Sequence, residues 1–284
     1  MKKKLLHKPK SIDQIIEKKR LLQLLINRVY KSDFFEETFF ETLKDYVSSY
    51  IDYGSGGQEE KAEVIYRNYI RSYNKDMVEF EASEKYPFQL EKSILNPSRY
   101  EYDIILLFSC LFASHRYRIM QLIHQLTEEA NKGLFIGCGP GLEMELVKDK
   151  IDTLIAYDLS IGEFPKIKHP EIDFREKYFQ GNKVEIQYDS IYLIEILEHL
   201  LDPYELLANC HNVLKNNGKI YLTTATNIPQ FDHLYNFEPS HKEFDDKLNQ
   251  MGFKVEFVED ILHQSLTLDI GAKNRFYVIR KITK

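Results

Sequence analysis

The chain has 284 residues, of which 43% are hydrophobic and 29% charged, the balance of a soluble globular protein. A formal net charge of −6 argues against a protein that coats nucleic acid. The first twenty residues depart from this, with eight basic and two acidic side chains, and read as a solvated, frayed start.

Three widely spaced cysteines, Cys110, Cys138 and Cys210, give neither a disulfide framework nor a zinc site. No signal-like segment is visible, and the longest apolar run, Ile104 to Ala113, is far short of a bilayer span. A reducing, cytoplasmic location and no membrane partner are therefore expected.

Up to about residue 130 the apolar pattern is helical. Phe35, Phe39, Leu43, Tyr46, Val47 and Tyr50 recur at three- and four-residue steps and line one helix face. Gly54-Ser55-Gly56-Gly57 breaks the pattern. A second helix is predicted from about Glu59 to Phe80, with Tyr66, Tyr69 and Tyr73 on one side. This tyrosine stripe either packs the helix onto a neighbour or offers rings on which a substrate could stack. Tyr86-Pro87 and Asn96-Pro97-Ser98 are further breaks, followed by one long apolar helix from about Glu101 to Leu126.

Beyond residue 130, strand and helix alternate. Strands are predicted at Gly133 to Ile136, Thr153 to Tyr157, Ile172 to Phe174, Ser190 to Ile194 and Lys219 to Thr224. Helices are predicted at Leu142 to Lys148, Pro203 to Leu214 and Phe244 to Met251. The runs Phe253 to Val258 and Arg275 to Ile282 have no helix between them and read as an antiparallel hairpin at a sheet edge. The alternation implies a mostly parallel sheet covered by helices.

Two motifs carry chemistry. Gly137-x-Gly139-x-Gly141 follows an apolar strand and opens a helix, where glycines allow a tight turn and close backbone approach to a ligand. Asp158 ends the next strand, where a carboxylate can accept hydrogen bonds from both hydroxyls of a ribose. The second motif runs from Tyr188 to Pro203. It reads as a buried strand whose carboxyl end delivers Glu195, Glu198 and His199 to the ligand-binding end of the sheet.

With Phe135 to Gly141, Tyr157-Asp158, Asp189 and Glu195 to Pro203 in place, residues 130 to 284 resemble the class I S-adenosylmethionine-dependent methyltransferases. They are most similar to the branch that contains the ubiquinone-biosynthesis O-methyltransferases. The resemblance implies an α/β fold: a doubly wound, mostly parallel, seven-stranded Rossmann-like sheet over residues 129–284. A helical region, residues 1–128, would precede it and serve as a cap, a substrate domain or a dimerisation surface. It further implies that Gly137, Cys138, Gly139, Gly141 and Glu195 line the cofactor, that Asp158 holds its ribose and that Leu159 packs on its adenine. The chain departs from the family at Asn216-Asn217-Gly218, where Pro-Gly-Gly is usual, and near Tyr178 or Phe179, where an acid often meets the adenine amine.

The spacing of Glu195, Glu198 and His199 (E-x-x-E-H), with His233 later in the chain, is similar to the four-ligand metal set of the small-RNA 3′-end 2′-O-methyltransferases. If a helical turn begins at Glu195, the three side chains share one side. Two readings stand. Glu195, Glu198, His199 and His233 hold a divalent ion such as Mg²⁺ that activates a hydroxyl. Alternatively, Glu198 and His199 merely start a helix, and His199 acts as a general base, with His233 and His241 as the other candidates. The function expected is methyl transfer to a hydroxyl, or less readily an amine, of a small molecule. The alternatives are an RNA-modifying 2′-O-methyltransferase and a cofactor-binding protein without catalysis.

Overall fold

Apolar side chains recurring at helical steps build six helices before the first strand among the described residues of the computed structural model, which are 11–54, 60–87, 97–181, 187–263 and 270–282. Helix α1 (Ser11–Lys18) buries Ile12 and Ile15, and α2 (Arg20–Tyr30) buries Leu22, Leu25, Ile26 and Val29. From Ser11 onward the basic start is thus helical rather than frayed, because isoleucines and leucines at helical spacing interrupt the lysines. Residues 1–10 lie outside the described residues, as do Ser55, Gly56, Gly57 and Asn96 of the expected breaks.

Helix α3 (Glu37–Gly54) buries the expected face of Phe39, Leu43, Tyr46, Val47 and Tyr50, and α4 (Glu60–Ser83) carries the tyrosine stripe. The long helix expected over residues 101 to 126 is two helices, α5 (Arg99–Phe112) and α6 (Ser114–Leu126). A capping box starts α5. Glu101 N donates to Ser98 Oγ at 3.4 Å, while Ser98 N donates to Glu101 Oε2 at 2.8 Å. The interruption is a single extended residue, Ala113 (φ −117°, ψ 117°), with the helical bonds Ala113 N to Ser109 O and Tyr117 N to Ala113 O kept on both sides. This break sets Ser114, His115 and Arg116 on the wall of the central cavity.

The second half follows the expected alternation. It runs β1 (Ala130–Ile136), α7 (Leu142–Val147), β2 (Ile151–Asp158), α8 (Glu163–Lys168), β3 (Asp173–Glu176) and β4 (Tyr188–Leu193). A 3₁₀ turn at Leu197–His199 precedes α9 (Pro203–Val213), β5 (Leu214–Thr226), α10 (Lys242–Gln250), β6 (Phe253–Leu262) and β7 (Lys273–Lys281). Among the described helices of this half, α8 was not foreshadowed. The strands form one seven-stranded sheet in the order β3-β2-β1-β4-β5-β7-β6. Strands β1 to β5 are parallel, while β7 runs antiparallel to both β5 and β6, which is the edge hairpin expected. The strand order reverses between β1 and β4, and in such sheets ligands bind beyond the carboxyl ends at that crevice.

Period-two alternation splits the core. Leu134, Ile136, Ile191, Leu193 and Leu222 face α9 and α10, packing with Leu206, Leu207, Phe244 and Leu248. Phe135, Tyr192, Tyr221, Phe276 and Val278 face the other way and join one continuous apolar cluster with α1 to α7. Tyr192 sits at its centre, stacked between Phe135 (centroids 4.3 Å apart) and Tyr221 (4.9 Å). The helical half therefore covers one face of the sheet. No helix among the described residues is long and apolar enough to cross a membrane.

Because Tyr192 bonds both halves through packing, Tyr192→Ala should lower the unfolding free energy by about 3–5 kcal/mol in urea titrations. Tyr192→Phe, which loses only the hydroxyl near Thr127 Oγ1 (3.3 Å), should cost about 1 kcal/mol.

Candidate active site

The carboxyl end of β1 turns through three left-handed glycines, Gly137 (φ 77°), Gly139 (φ 49°) and Gly141 (φ 90°). Side chains are strained at such φ, and two of these positions have no room for one. A Cβ on Gly137 would lie 2.7 Å from Ile196 Cδ1, and one on Gly141 would lie 2.7 Å from Tyr46 Oη. Gly139 N donates to Asp158 Oδ2 at 3.0 Å, which ties the loop to the end of β2.

A cavity of about 560 Å³ opens above this loop. Gly137, Gly139, Asp158, Leu159, Glu195, Glu198, His199 and His233 all line it, so most residues singled out from the sequence converge. Two expected cofactor contacts do not. Cys138 is buried in the apolar core, where burial pushes its thiol up, and Gly141 sits behind the cavity wall under Tyr46. Leu159 stands 72% exposed at the rim. Tyr178 and Phe179, near which the resemblance led us to expect an adenine-binding acid, line the wall.

Glu195 departs from expectation in its partners. Its φ of 52° is left-handed, so no helical turn begins there and the assumed side-chain offsets do not apply. Its backbone N–H donates to Thr223 Oγ1 at 2.7 Å, and its Oε1 accepts from Asn274 Nδ2 at 2.8 Å. Arg116 Nη1 lies 3.1 Å from its Oε2, and Arg116 Nη2 lies 3.6 Å from Glu143 Oε1. Glu195 is thus held by a guanidinium, and of the four expected metal ligands only Glu198, His199 and His233 cluster closely among the described residues. Arg116 lines the cavity and is a residue that sequence reasoning passed over. The available signal was a cation closing an otherwise buried apolar run.

Glu198, His199 and His233 do come together, each with a ligand atom within 4.8 Å of the others. Glu198 is fully buried, and neither carboxylate oxygen has a hydrogen-bond partner. Burial, reinforced by the charge of Glu195, holds its carboxyl well above the usual range. Its backbone carbonyl accepts from Leu234 N and Tyr235 N, which seats the loop after β5. His199 Nδ1 lies 3.0 Å from the carbonyl of Asp232. A carbonyl only accepts, so Nδ1 carries a proton, and in the neutral ring Nε2 keeps its lone pair. Burial works against the His199 imidazolium, but Asp232 and Glu198 together outweigh it and raise the pKa. His233 meets His199 edge to face at 5.0 Å, and burial followed by the charge of His199 keeps it neutral.

The helical half completes this loop. Tyr69 Oη donates to Gln230 Oε1 at 2.6 Å, Gln230 Nε2 lies 2.7 Å from His233 Nε2, and Tyr102 Oη donates to Asp232 Oδ2 at 3.3 Å. Tyr66 packs against Phe108 and Phe112, Tyr69 and Tyr73 stack on each other, and all three line the cavity. His241 is not part of the site. It is buried beside Thr224 Oγ1 at 2.7 Å, off the cavity wall, and burial followed by the charge of Arg275 pushes it down to about 4.

Comparison with known proteins finds methyltransferase relatives. The ubiquinone biosynthesis O-methyltransferase of Pseudomonas aeruginosa is 28% identical over 109 residues, covering 35% of this chain and 46% of that protein. That of Coxiella burnetii is 28% identical over 114 residues, covering 38% and 49%. The chain spans about half the length of the curated relatives it matches. Among solved structures, the N-methyltransferase NodS of Bradyrhizobium japonicum WM9 with S-adenosyl-L-homocysteine aligns at 14% identity, covering 76% of this chain and 98% of that one, with a TM-score of 0.48. The [4+2]-cyclase SpnF aligns at 13% identity, covering 59% and 81%, with a TM-score of 0.45. A family model described as a methyltransferase domain matches residues 112–256, just over half of the chain and the stretch that holds the glycine loop, Asp158, Glu195 and His199. The chain therefore belongs to the methyltransferase-domain family, as a class I S-adenosylmethionine-dependent member.

Proposed function

We propose that this protein transfers the sulfonium methyl group of S-adenosylmethionine to a hydroxyl of a small, largely apolar molecule. The observation that carries the reading is that one cavity holds both a nucleoside-type site, Gly137, Gly139 and Asp158, and an imidazole with a free Nε2, His199. Asp158 would accept from the ribose hydroxyls. Arg116 would meet the carboxylate of the cofactor's amino-acid end, and Glu195 or Glu143 its ammonium group. When bound, the cofactor supplies an electrophilic methyl carbon for in-line displacement.

The chain's own residues supply the rest. His199 Nε2 would take the acceptor's hydroxyl proton as the O–CH₃ bond forms and the S–CH₃ bond breaks. The carbonyl of Asp232 fixes the tautomer, and the Asp232 carboxylate, 3.6 Å from Nδ1, favours the resulting imidazolium. Ile70, Tyr73, Met77, Ile105 and Phe112 on the cap side of the cavity present mainly apolar surface, which suits a small neutral acceptor better than a nucleic-acid strand.

A specific observation favours a second version of the same reaction, in which a divalent ion assists. Glu198 offers two buried, unpartnered carboxylate oxygens beside two imidazoles, a donor set that fits such an ion. Glu198, His199 and His233 would hold it, and it would lower the pKa of an acceptor hydroxyl.

Calorimetry with S-adenosylhomocysteine tests the cofactor assignment. The unaltered protein should bind it, and Asp158→Ala should weaken binding roughly 10- to 100-fold, the loss of hydrogen bonds to a charged group. No binding by the unaltered protein would reject the reading. For the base, His199→Ala should cut turnover on a panel of hydroxylated acceptors by about 10²–10⁴ while leaving cofactor affinity within about twofold. The two versions separate on chelation. Turnover that survives exhaustive EDTA treatment identifies the metal-free route, whereas loss restored by Mg²⁺ or Mn²⁺, and not restored in Glu198→Gln, identifies the metal-assisted one.

A further inference from the structure

We propose that Tyr46, a side chain of the helical half, is a positioning residue for the cofactor loop. The inference rests on the reading of Gly137 to Gly141 as the S-adenosylmethionine site.

Three left-handed glycines make that loop intrinsically soft, since glycine gives up more conformational freedom on ordering than any other residue. Something must hold it from both sides. One clamp is Asp158, which accepts from Gly139 N. The opposite clamp comes from α3. Tyr46 is buried, and its hydroxyl donates to the carbonyl of Pro140 at 2.8 Å. The same hydroxyl occupies the place that a side chain on Gly141 would need.

The ring cannot swing away. It stacks on His169 (centroids 5.9 Å, planes 13° apart) and meets the edge of Phe164 at 5.5 Å. His169 Nε2 lies 3.5 Å from the Tyr46 hydroxyl and 3.5 Å from Glu145 Oε2 on α7, the helix that the loop opens. The phenol therefore links α3 to the loop, to α7 and to the segment after α8. Cofactor affinity depends in this way on a residue that never touches the cofactor, in a region outside the family-model match.

The test compares two variants that each lose one buried tyrosine hydroxyl. Tyr46→Phe removes the bond to Pro140. Tyr117→Phe removes the hydroxyl that donates to the carbonyl of Glu36 and accepts from its N–H, in the helical half and off the cavity wall. Tyr46→Phe should raise the Kd for S-adenosylhomocysteine about five- to tenfold, the change expected for one buried hydrogen bond. The backbone amides of the 137–142 loop should also exchange with deuterium faster in the ligand-free protein. Tyr117→Phe should leave both readouts within about twofold of the unaltered protein, whatever its effect on thermal stability. Equal affinities for Tyr46→Phe and the unaltered protein, unchanged loop exchange, or an equal loss in Tyr117→Phe would each overturn the proposal. If the unaltered protein does not bind S-adenosylhomocysteine, the cofactor reading fails, and loop exchange still decides whether Tyr46 holds the loop.

Discussion

The buried guanidinium of Arg116 is the constraint around which the two halves are arranged. It belongs to the first turn of α6, yet its charge is balanced by Glu195 beyond β4 and by Glu143 on α7. Asn274 of β7 takes the other oxygen of Glu195, so four separate elements converge on one cluster. A buried charge without its partner costs several kcal/mol, which makes the relative placement of these elements mutually dependent. The cluster explains two local irregularities. Ala113 is extended between two helices, which puts Arg116 on the cavity wall, and Glu195 accepts a left-handed backbone, its N–H bonded to Thr223 and its carboxylate clamped. Both are costs that local sequence preferences do not reveal and tertiary pairing offsets.

Much of the fold was legible for simple reasons. The continuous apolar runs Leu134-Phe135-Ile136 and Ile191-Tyr192-Leu193 mark strands covered on both faces, and two β-rich runs with no helical pattern between them in the sequence mark the antiparallel edge. The glycine loop and Asp158 were legible because strand ends fix where such residues go. What stayed hidden depends on contacts between distant segments. Nothing in Cys110 to Arg116 contains a helix breaker, so the division of α5 from α6 has no local signature. The ligand set of Glu195, Glu198 and His199 was drawn on helical offsets. The 3₁₀ turn begins only at Leu197, which releases Glu195 from that geometry and leaves Glu198, His199 and His233 as the cluster. His241 looked like any other loop histidine until its burial beside Thr224 separated it from His199.

The same dependence on distant contacts bears on what the helical half is for. A lid would need only an apolar face towards the acceptor. These helices do more. Tyr69 bonds Gln230, which bonds His233. Tyr102 bonds Asp232, whose carbonyl sets the tautomer of His199. Arg99 of α5 reaches the carbonyl of Ser160 beside Asp158, and Tyr46 of α3 reaches Pro140. These cavity loops are thus fixed by polar side chains from the helices as well as by their own strands. Loops of this kind carry chemistry because a rigid scaffold positions them, and here the scaffold is the sheet and the helices together. A change of acceptor preference made by altering the helices would therefore also be felt at His199 and at the glycine loop. This coupling gives a physical reason for the helical half and the sheet to share one uninterrupted core.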